Sequence, residues 1–135
     1  MTGDRTGNSL RLQRSRGFTL IELLVVMSII ATLLMIAVPR YFSSLERSKE
    51  AVLRQDLAVM RDTIDKFYGD LGRYPDSLTE LVEKRYLRGV PVDPETNSSE
   101  TWILVPSEDA ELTGARDVQS GSEGVARDGT SYSSW

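Results

Sequence analysis

From residue 18 to residue 38 every side chain is apolar except Thr19, Glu22, Ser28 and Thr32. At 1.5 Å per residue these positions make a helix about 31 Å long, enough to cross the hydrocarbon core of a bilayer. Pro39 closes the run. A Pro within a helix removes one backbone hydrogen bond and crowds the preceding turn, so Pro39 is expected to kink or locally melt the helix, or to mark its exit from the membrane. Beyond it, Leu53, Leu57, Met60, Ile64, Phe67 and Leu71 recur in alternating steps of four and three. That is the stripe of an amphipathic helix with one face to bury. The opposite positions carry Glu46, Arg47, Lys49, Glu50, Arg54, Asp56, Arg61, Asp62, Asp65 and Lys66. Asp62 and Lys66 form a favourable i,i+4 pair and Glu46 and Glu50 a like-charged one, so this surface reads as solvated or partner-facing, with no site on it. Gly69 and Gly72 interrupt the stripe, and the residue before Pro75 is held extended, so the helix is expected to stop between residues 68 and 70.

After that stop the pattern shortens. Asp76 and Ser77 offer a helix cap, an acid follows in the first turn, and Leu78, Leu81, Val82 and Leu87 give a short second helix its apolar side. Residues 87–100 carry Pro91, Pro94, Asn97 and two Ser, which is loop chemistry. Trp102-Ile103-Leu104-Val105 reads as a buried strand and Asp117-Val118-Gln119-Ser120 as a shorter one, with a weaker candidate at Glu111 to Thr113. About 65 residues cannot bury a large core alone, so the sheet is expected to lie on the striped face of the long helix. The class is α+β: a long N-terminal helix, a short helix and a small antiparallel sheet. The last 22 residues are rich in Gly and Ser, but Val118, Val125, Tyr132 and Trp135 predict an ordered loop with a docked end.

Glu22 is the anomaly in the apolar run. An ionised Glu near the end of a spanning helix costs roughly 2–3 kcal/mol, and no other side chain between 18 and 38 can ionise to pair with it. Its partner must come from elsewhere. Ahead of the run, Arg5, Arg11, Arg14 and Arg16 stand against Asp4 alone, which places the N-terminus on the cytoplasmic side. A secretory signal would have an apolar region of about 7–15 residues and a small-residue cleavage site, and this run is longer and carries an acid at its front. A plain anchor explains the length and the basic flank but gives no reason for Glu22.

The run Arg16-Gly17-Phe18-Thr19-Leu20-Ile21-Glu22 resembles the leader junction of type IV pilins and of the pseudopilins of type II secretion. The resemblance implies cleavage after Gly17 by a membrane-embedded prepilin peptidase, methylation of the new amino terminus at Phe18, and a role for Glu22 in assembly. It divides the chain into a cleaved leader (1–17), a transmembrane and assembly helix (18–38), an amphipathic helix (39–70) and a periplasmic head (71–135). Cleavage creates an ammonium at Phe18 that Glu22 of a neighbouring subunit can neutralise; Glu22 can also serve its own amino terminus, four residues away. Family members often carry Pro at the position of Pro39, where packed subunits lose helical structure. The later succession Gly72-Arg73-Tyr74-Pro75, Tyr86-Leu87, Pro91-Val92-Asp93-Pro94 and Asp117-Val118-Gln119-Ser120, through Asp128-Gly129 to Trp135, is similar to the major pseudopilin, although Gly and Pro end helices in any family.

Several members of that family bind calcium in the loop before the C-terminus. This chain keeps Asp117, Ser120 and Asp128 and adds Glu123, but it lacks the acid-rich cluster. Calcium takes about six to eight oxygen ligands, so the alternatives are a calcium site and a turn set by Gly121, Gly124 and Gly129. The series Asp93, Glu95, Asn97, Ser99 fails as an EF-hand, because Ser98 stands where Gly is needed and Leu104 where a bidentate Glu is needed.

Composition narrows the function. With no Cys and no His there is no disulfide, thiol nucleophile or imidazole, and the scattered carboxylates suggest no acid–base pair, so no enzyme is expected. Removal of four Arg and one Asp with the leader leaves twelve basic and nineteen acidic side chains, which argues against nucleic acid as a partner. The resemblance implies a structural subunit that forms a helical homopolymer with itself and with other pseudopilins. An inner-membrane assembly platform would receive it, and its growth would push proteins through an outer-membrane secretin. The alternatives are a type IV pilus subunit for adhesion or twitching, and a membrane-tethered binding module that never polymerises.

Overall fold

The computed structural model describes residues 2–3, 7 and 16–135, so the leader positions Asp4, Arg5, Arg11 and Arg14 lie outside the described residues. The chain divides into two units, Met1–Pro39 and Arg40–Trp135. Helix α1 (Leu20–Leu71) gives its first twenty residues to the first unit and the remainder to the second.

In the first unit residues 16–19 are non-helical and α1 begins at Leu20, two positions after the apolar run does. The delay has a local cause: Thr19 Oγ1 accepts the Glu22 backbone N–H at 3.1 Å, and a residue capping in this way stays outside the helix. Every side chain from 20 to 39 is exposed, Ile21 at 71% and Ile36 at 62% among them, and the helix is long and apolar enough to cross a membrane. Ser28 and Thr32 donate their hydroxyls to the carbonyls of Leu24 and Ser28, at 2.7 and 2.8 Å. Those bonds remove the cost of carrying hydroxyls through an apolar medium. Pro39 stands inside α1, and helical residues continue on both sides of it.

In the second unit the expected stripe forms the core. Leu53, Leu57, Met60, Ile64 and Phe67 are buried, together with Leu78 and Leu81 of α2 (Leu78–Glu83), Leu87, Trp102, Val118, Ala126 and Tyr132. Leu71 departs from the expectation and is 46% exposed, because α1 ends there. Gly72 takes φ +70 and its N–H bonds the Tyr68 carbonyl at 2.8 Å, a left-handed stop that only Gly adopts freely. Ser77 caps α2 by accepting the Glu80 N–H at 3.2 Å.

Strands β1 (Ile103–Pro106) and β2 (Ala115–Gln119) pair antiparallel, with Leu104 opposite Val118 and a register shift between Val105 and Pro106. Two expectations change here. The strand at Trp102 to Val105 is only half covered, with Ile103 50% exposed, because among the described residues the sheet has two strands and its outer face has nothing on it. Trp102, just before β1, is the buried member, and its Nε1–H donates to the Pro91 carbonyl at 2.8 Å. Glu111 to Thr113 form no strand: Asp109 Oδ1 accepts the Glu111 N–H and the Asp109 carbonyl accepts that of Leu112, an Asx-type turn that uses the donors a strand would need. The C-terminal segment is anchored through Val118 and Tyr132, whereas Val125 is 62% exposed.

Candidate functional site

The N-terminal site is built by four non-apolar side chains along an apolar helix, of which three are satisfied within the chain. Thr19 caps, and Ser28 and Thr32 bond back one turn. Glu22 is left: it sits in the first turn of α1, exposed, and no described hydrogen bond or ion pair uses its carboxylate. Thr19-Leu20-Ile21-Glu22 is the pattern of a capping box, in which the acid would return to the N–H of the cap. Here only the Thr19 half is made. Gly17 and Phe18 lie in the exposed, non-helical stretch, and among the described residues a Cβ built on Gly17 meets no heavy atom within 4 Å. The bond between Gly17 and Phe18 is thus presented in open backbone, with a carboxylate one turn inside the helix that follows. The spacing of Thr19 to Glu22 is the signal that could have marked it as a cap, but apolar periodicity alone passes over it.

The calcium candidates are not brought together. Asp117 Oδ1 pairs with Arg61 Nε at 2.7 Å and accepts its own neighbour's N–H from Val118. The Ser120 hydroxyl donates to Asp93 Oδ2 at 2.5 Å in a fully buried contact, and Asp93 Oδ1 accepts the Glu95 N–H. Asp128 Oδ1 accepts the N–H and the hydroxyl of Thr130, and its Oδ2 faces Arg54 at 3.8 Å. Those Thr130 bonds hold the Asp128 carboxyl below its usual range. Glu123 is exposed. Among the described residues no three metal-ligand side chains converge, and as placed this donor set does not fit a calcium ion.

Three side chains of α1 hold the C-terminal segment instead, and they lie on the surface that periodicity reads as free of any site. Glu50 Oε1 accepts the Arg127 N–H at 2.9 Å and the Tyr132 hydroxyl at 3.2 Å. Burial, then the charges of Glu95, Glu50 and Glu46, push the Tyr132 phenol up to about 12, which keeps it a donor. Arg54 lies over the Trp135 ring, 4.1 Å from its centroid. Arg61 reaches Asp117, the Val118 carbonyl at 3.0 Å and the Trp135 carbonyl. The partners of Arg61 stand 56 to 74 residues away, a separation that no local pattern encodes. Arg61→Ala is expected to lower the unfolding free energy by roughly 1.5–3 kcal/mol, since it strips a charged donor from a half-buried carboxylate. The urea midpoint followed by Trp fluorescence measures this, and Arg61→Lys should recover only part because an ammonium cannot span that fork.

Comparison with known proteins adds a family context. The prokaryotic N-terminal methylation motif matches residues 12–38. Type II secretion system core protein G of Pseudomonas aeruginosa is 33% identical over 100 residues, covering 62% of this chain and 70% of that protein. The core protein G of Klebsiella pneumoniae is 28% identical over 141 residues, 92% of this chain and 96% of its own length. The type IV major pilin protein PilA of Myxococcus xanthus is 37% identical over 68 residues, half of this chain and only 31% of the pilin. No solved structure matches significantly.

Proposed function

This chain belongs to the type II secretion system core protein G family, and from that membership we propose that it is a structural subunit of a type II secretion pseudopilus. Prepilin peptidase cuts after Gly17 and methylates Phe18. The processed chain waits in the inner membrane as a single-pass protein, N-terminus cytoplasmic and residues 71–135 periplasmic. An assembly platform then adds it to a polymer of itself and other pseudopilins, whose growth in the periplasm drives proteins through an outer-membrane secretin. The role is structural rather than catalytic.

The observation that carries this reading is the unused carboxylate of Glu22 one turn beyond an open Gly17-Phe18 bond. While the bond is intact there is no ammonium beside it. Cutting creates one at the positive end of the α1 dipole, where a cation is disfavoured and a carboxylate is favoured. Processing therefore supplies the missing cationic half of an ion pair whose carboxylate, Glu22, already stands in the apolar part of the chain. Pro39 would serve the same polymer by loosening the helix where subunits pack.

The match to the Myxococcus pilin favours a second reading, a type IV pilus subunit, although it covers half of this chain. A Gly17→Val variant separates the two. Because Gly17 is open, the added bulk has no cost to the fold and acts on peptidase recognition alone. The expected result is a chain that keeps its leader by mass and lacks methyl-Phe, in cells that retain their exoproteins in the periplasm yet still twitch. Loss of twitching with normal secretion would favour the pilus.

A further inference from the structure

Four Arg residues follow one another at seven-residue spacing along the second unit's part of α1: Arg40, Arg47, Arg54 and Arg61. Seven residues are close to two turns, so the series stays on one side of the helix. Arg54 and Arg61 are occupied by Asp128, Trp135 and Asp117. Among the described residues no carboxylate lies within salt-bridge reach of Arg40 or Arg47. These two line a shallow recess of about 240 Å³ whose other walls are Ser43 and Ser44. Among the described residues no acid lines it, and no described hydrogen bond uses either of those two hydroxyls. Two guanidinium groups, which only donate, and two hydroxyls, which can turn their O–H inward, surround an open recess, a set from which a phosphate can accept.

We propose that Arg40, Ser43, Ser44 and Arg47 form a binding site for the phosphate of an anionic phospholipid headgroup. The inference rests on the membrane-anchored reading above. Arg40 follows the last apolar residue, Val38, by two positions, so along the helix the site begins about 3 Å and ends about 13 Å beyond the apolar run. The headgroup layer is roughly 5–8 Å deep on each side of the hydrocarbon. Helix side chains lean toward the N-terminus and long Arg stems extend that lean, which carries Arg47 back to this depth. Tyr41 and Phe42, exposed by 65% and 57%, stand between the two Arg in the chain, the aromatic residues expected at a membrane boundary. Cations beyond the span run against the charge bias that orients it, so an anion that engages them there accounts for residues the topology disfavours. Phosphatidylglycerol held at the site would fix the depth of the waiting subunit and must be released before the subunit leaves the membrane.

The test is native mass spectrometry of the processed full chain in detergent, offered phosphatidylglycerol and phosphatidylcholine in equal amounts. Both carry a phosphate, but only the first is anionic. An Arg beside an anionic headgroup should favour it roughly fivefold, so wild type is expected to retain phosphatidylglycerol by about 30-fold and Arg40→Gln/Arg47→Gln to show no preference. Lys66→Gln, which removes a cation elsewhere on α1, should keep the preference. Equal retention of the two lipids by wild type, or a preference that survives in the double variant, overturns the site. Displacement of the lipid by millimolar inorganic phosphate also overturns it, because it assigns the recess to free phosphate. Flotation of the same chain with vesicles of pure phosphatidylcholine tests anchoring by itself: a chain that stays at the bottom refutes the membrane reading, while one that floats without lipid preference refutes only the site.

Discussion

Glu22→Ala is expected to abolish filament growth while leaving the subunit folded and inserted. The head is unaffected because Glu22 is exposed and makes no described contact with its side chain, so the thermal unfolding of the second unit should not move. Insertion should improve, since an ionised acid near the end of a spanning helix costs roughly 2–3 kcal/mol. Assembly fails for the opposite reason. The ammonium created at Phe18 must enter the apolar bundle, and removing one partner of a buried ion pair costs about 3–5 kcal/mol, more than a hundredfold in the affinity of each added subunit. Glu22→Gln separates charge from shape: it keeps the side chain's length and hydrogen-bonding capacity but leaves the ammonium uncompensated, and it should fail almost as completely. Glu22→Asp should assemble slowly. Sheared filaments counted by electron microscopy, beside the membrane-bound pool, report each case. Filaments of normal length from Glu22→Ala would end the pairing argument.

The long helix was legible because two patterns meet in it, a predominantly apolar run and then the Leu53 to Phe67 stripe, and each reports burial in a different medium. The same stripe misplaced Leu71, because a regular repeat does not register that Gly72 turns left-handed and ends the helix beneath it. The strands were found to within two residues, yet their burial was overstated: apolar content marks β1 as a strand, while how much of it is covered depends on how many strands the sheet has. In sequence Gly17, Phe18 and Glu22 stand out as one cluster because they lie within six residues, whereas Thr19 enters as a cap only through its bond to the Glu22 N–H. The bonds of Glu50 and Arg61 were not readable, because they join α1 to residues 56 to 82 positions away and depend on the fold being complete. A charged side chain on a helix surface looks the same in sequence whether it meets water or a distant loop.

Gly114 is expected to be a position where even one added methyl is costly, and Gly69 is its control. Gly114 takes φ +102, and a Cβ built there lies 2.5 Å from the Tyr74 carbonyl oxygen and 2.8 Å from that of Pro75. Both contacts are with backbone, so no side chain can swing aside. The neighbouring Ala115 N–H donates to the Pro75 carbonyl at 2.8 Å, and the Ser107 N–H donates to the Gly114 carbonyl at 3.2 Å. The position thus joins the start of β2 to the turn after α1. Gly114→Ala must either hold a left-handed conformation, at about 1–3 kcal/mol, or move the strand and break those bonds at roughly 1 kcal/mol each. A loss of roughly 3 kcal/mol or more is expected by urea unfolding, with Trp102 and Trp135 fluorescence as the probe. Gly69 lies inside α1 with nothing within 4 Å of a new Cβ and no positive φ. Gly69→Ala should therefore stabilise by about 0.5–1 kcal/mol through helix propensity and a less flexible unfolded chain. Opposite signs from the same chemical change would show that backbone proximity at Gly114, rather than a general intolerance of added methyls, fixes where the sheet begins; a tolerated Gly114→Ala would mean that β2 can shift on the Tyr74-Pro75 turn.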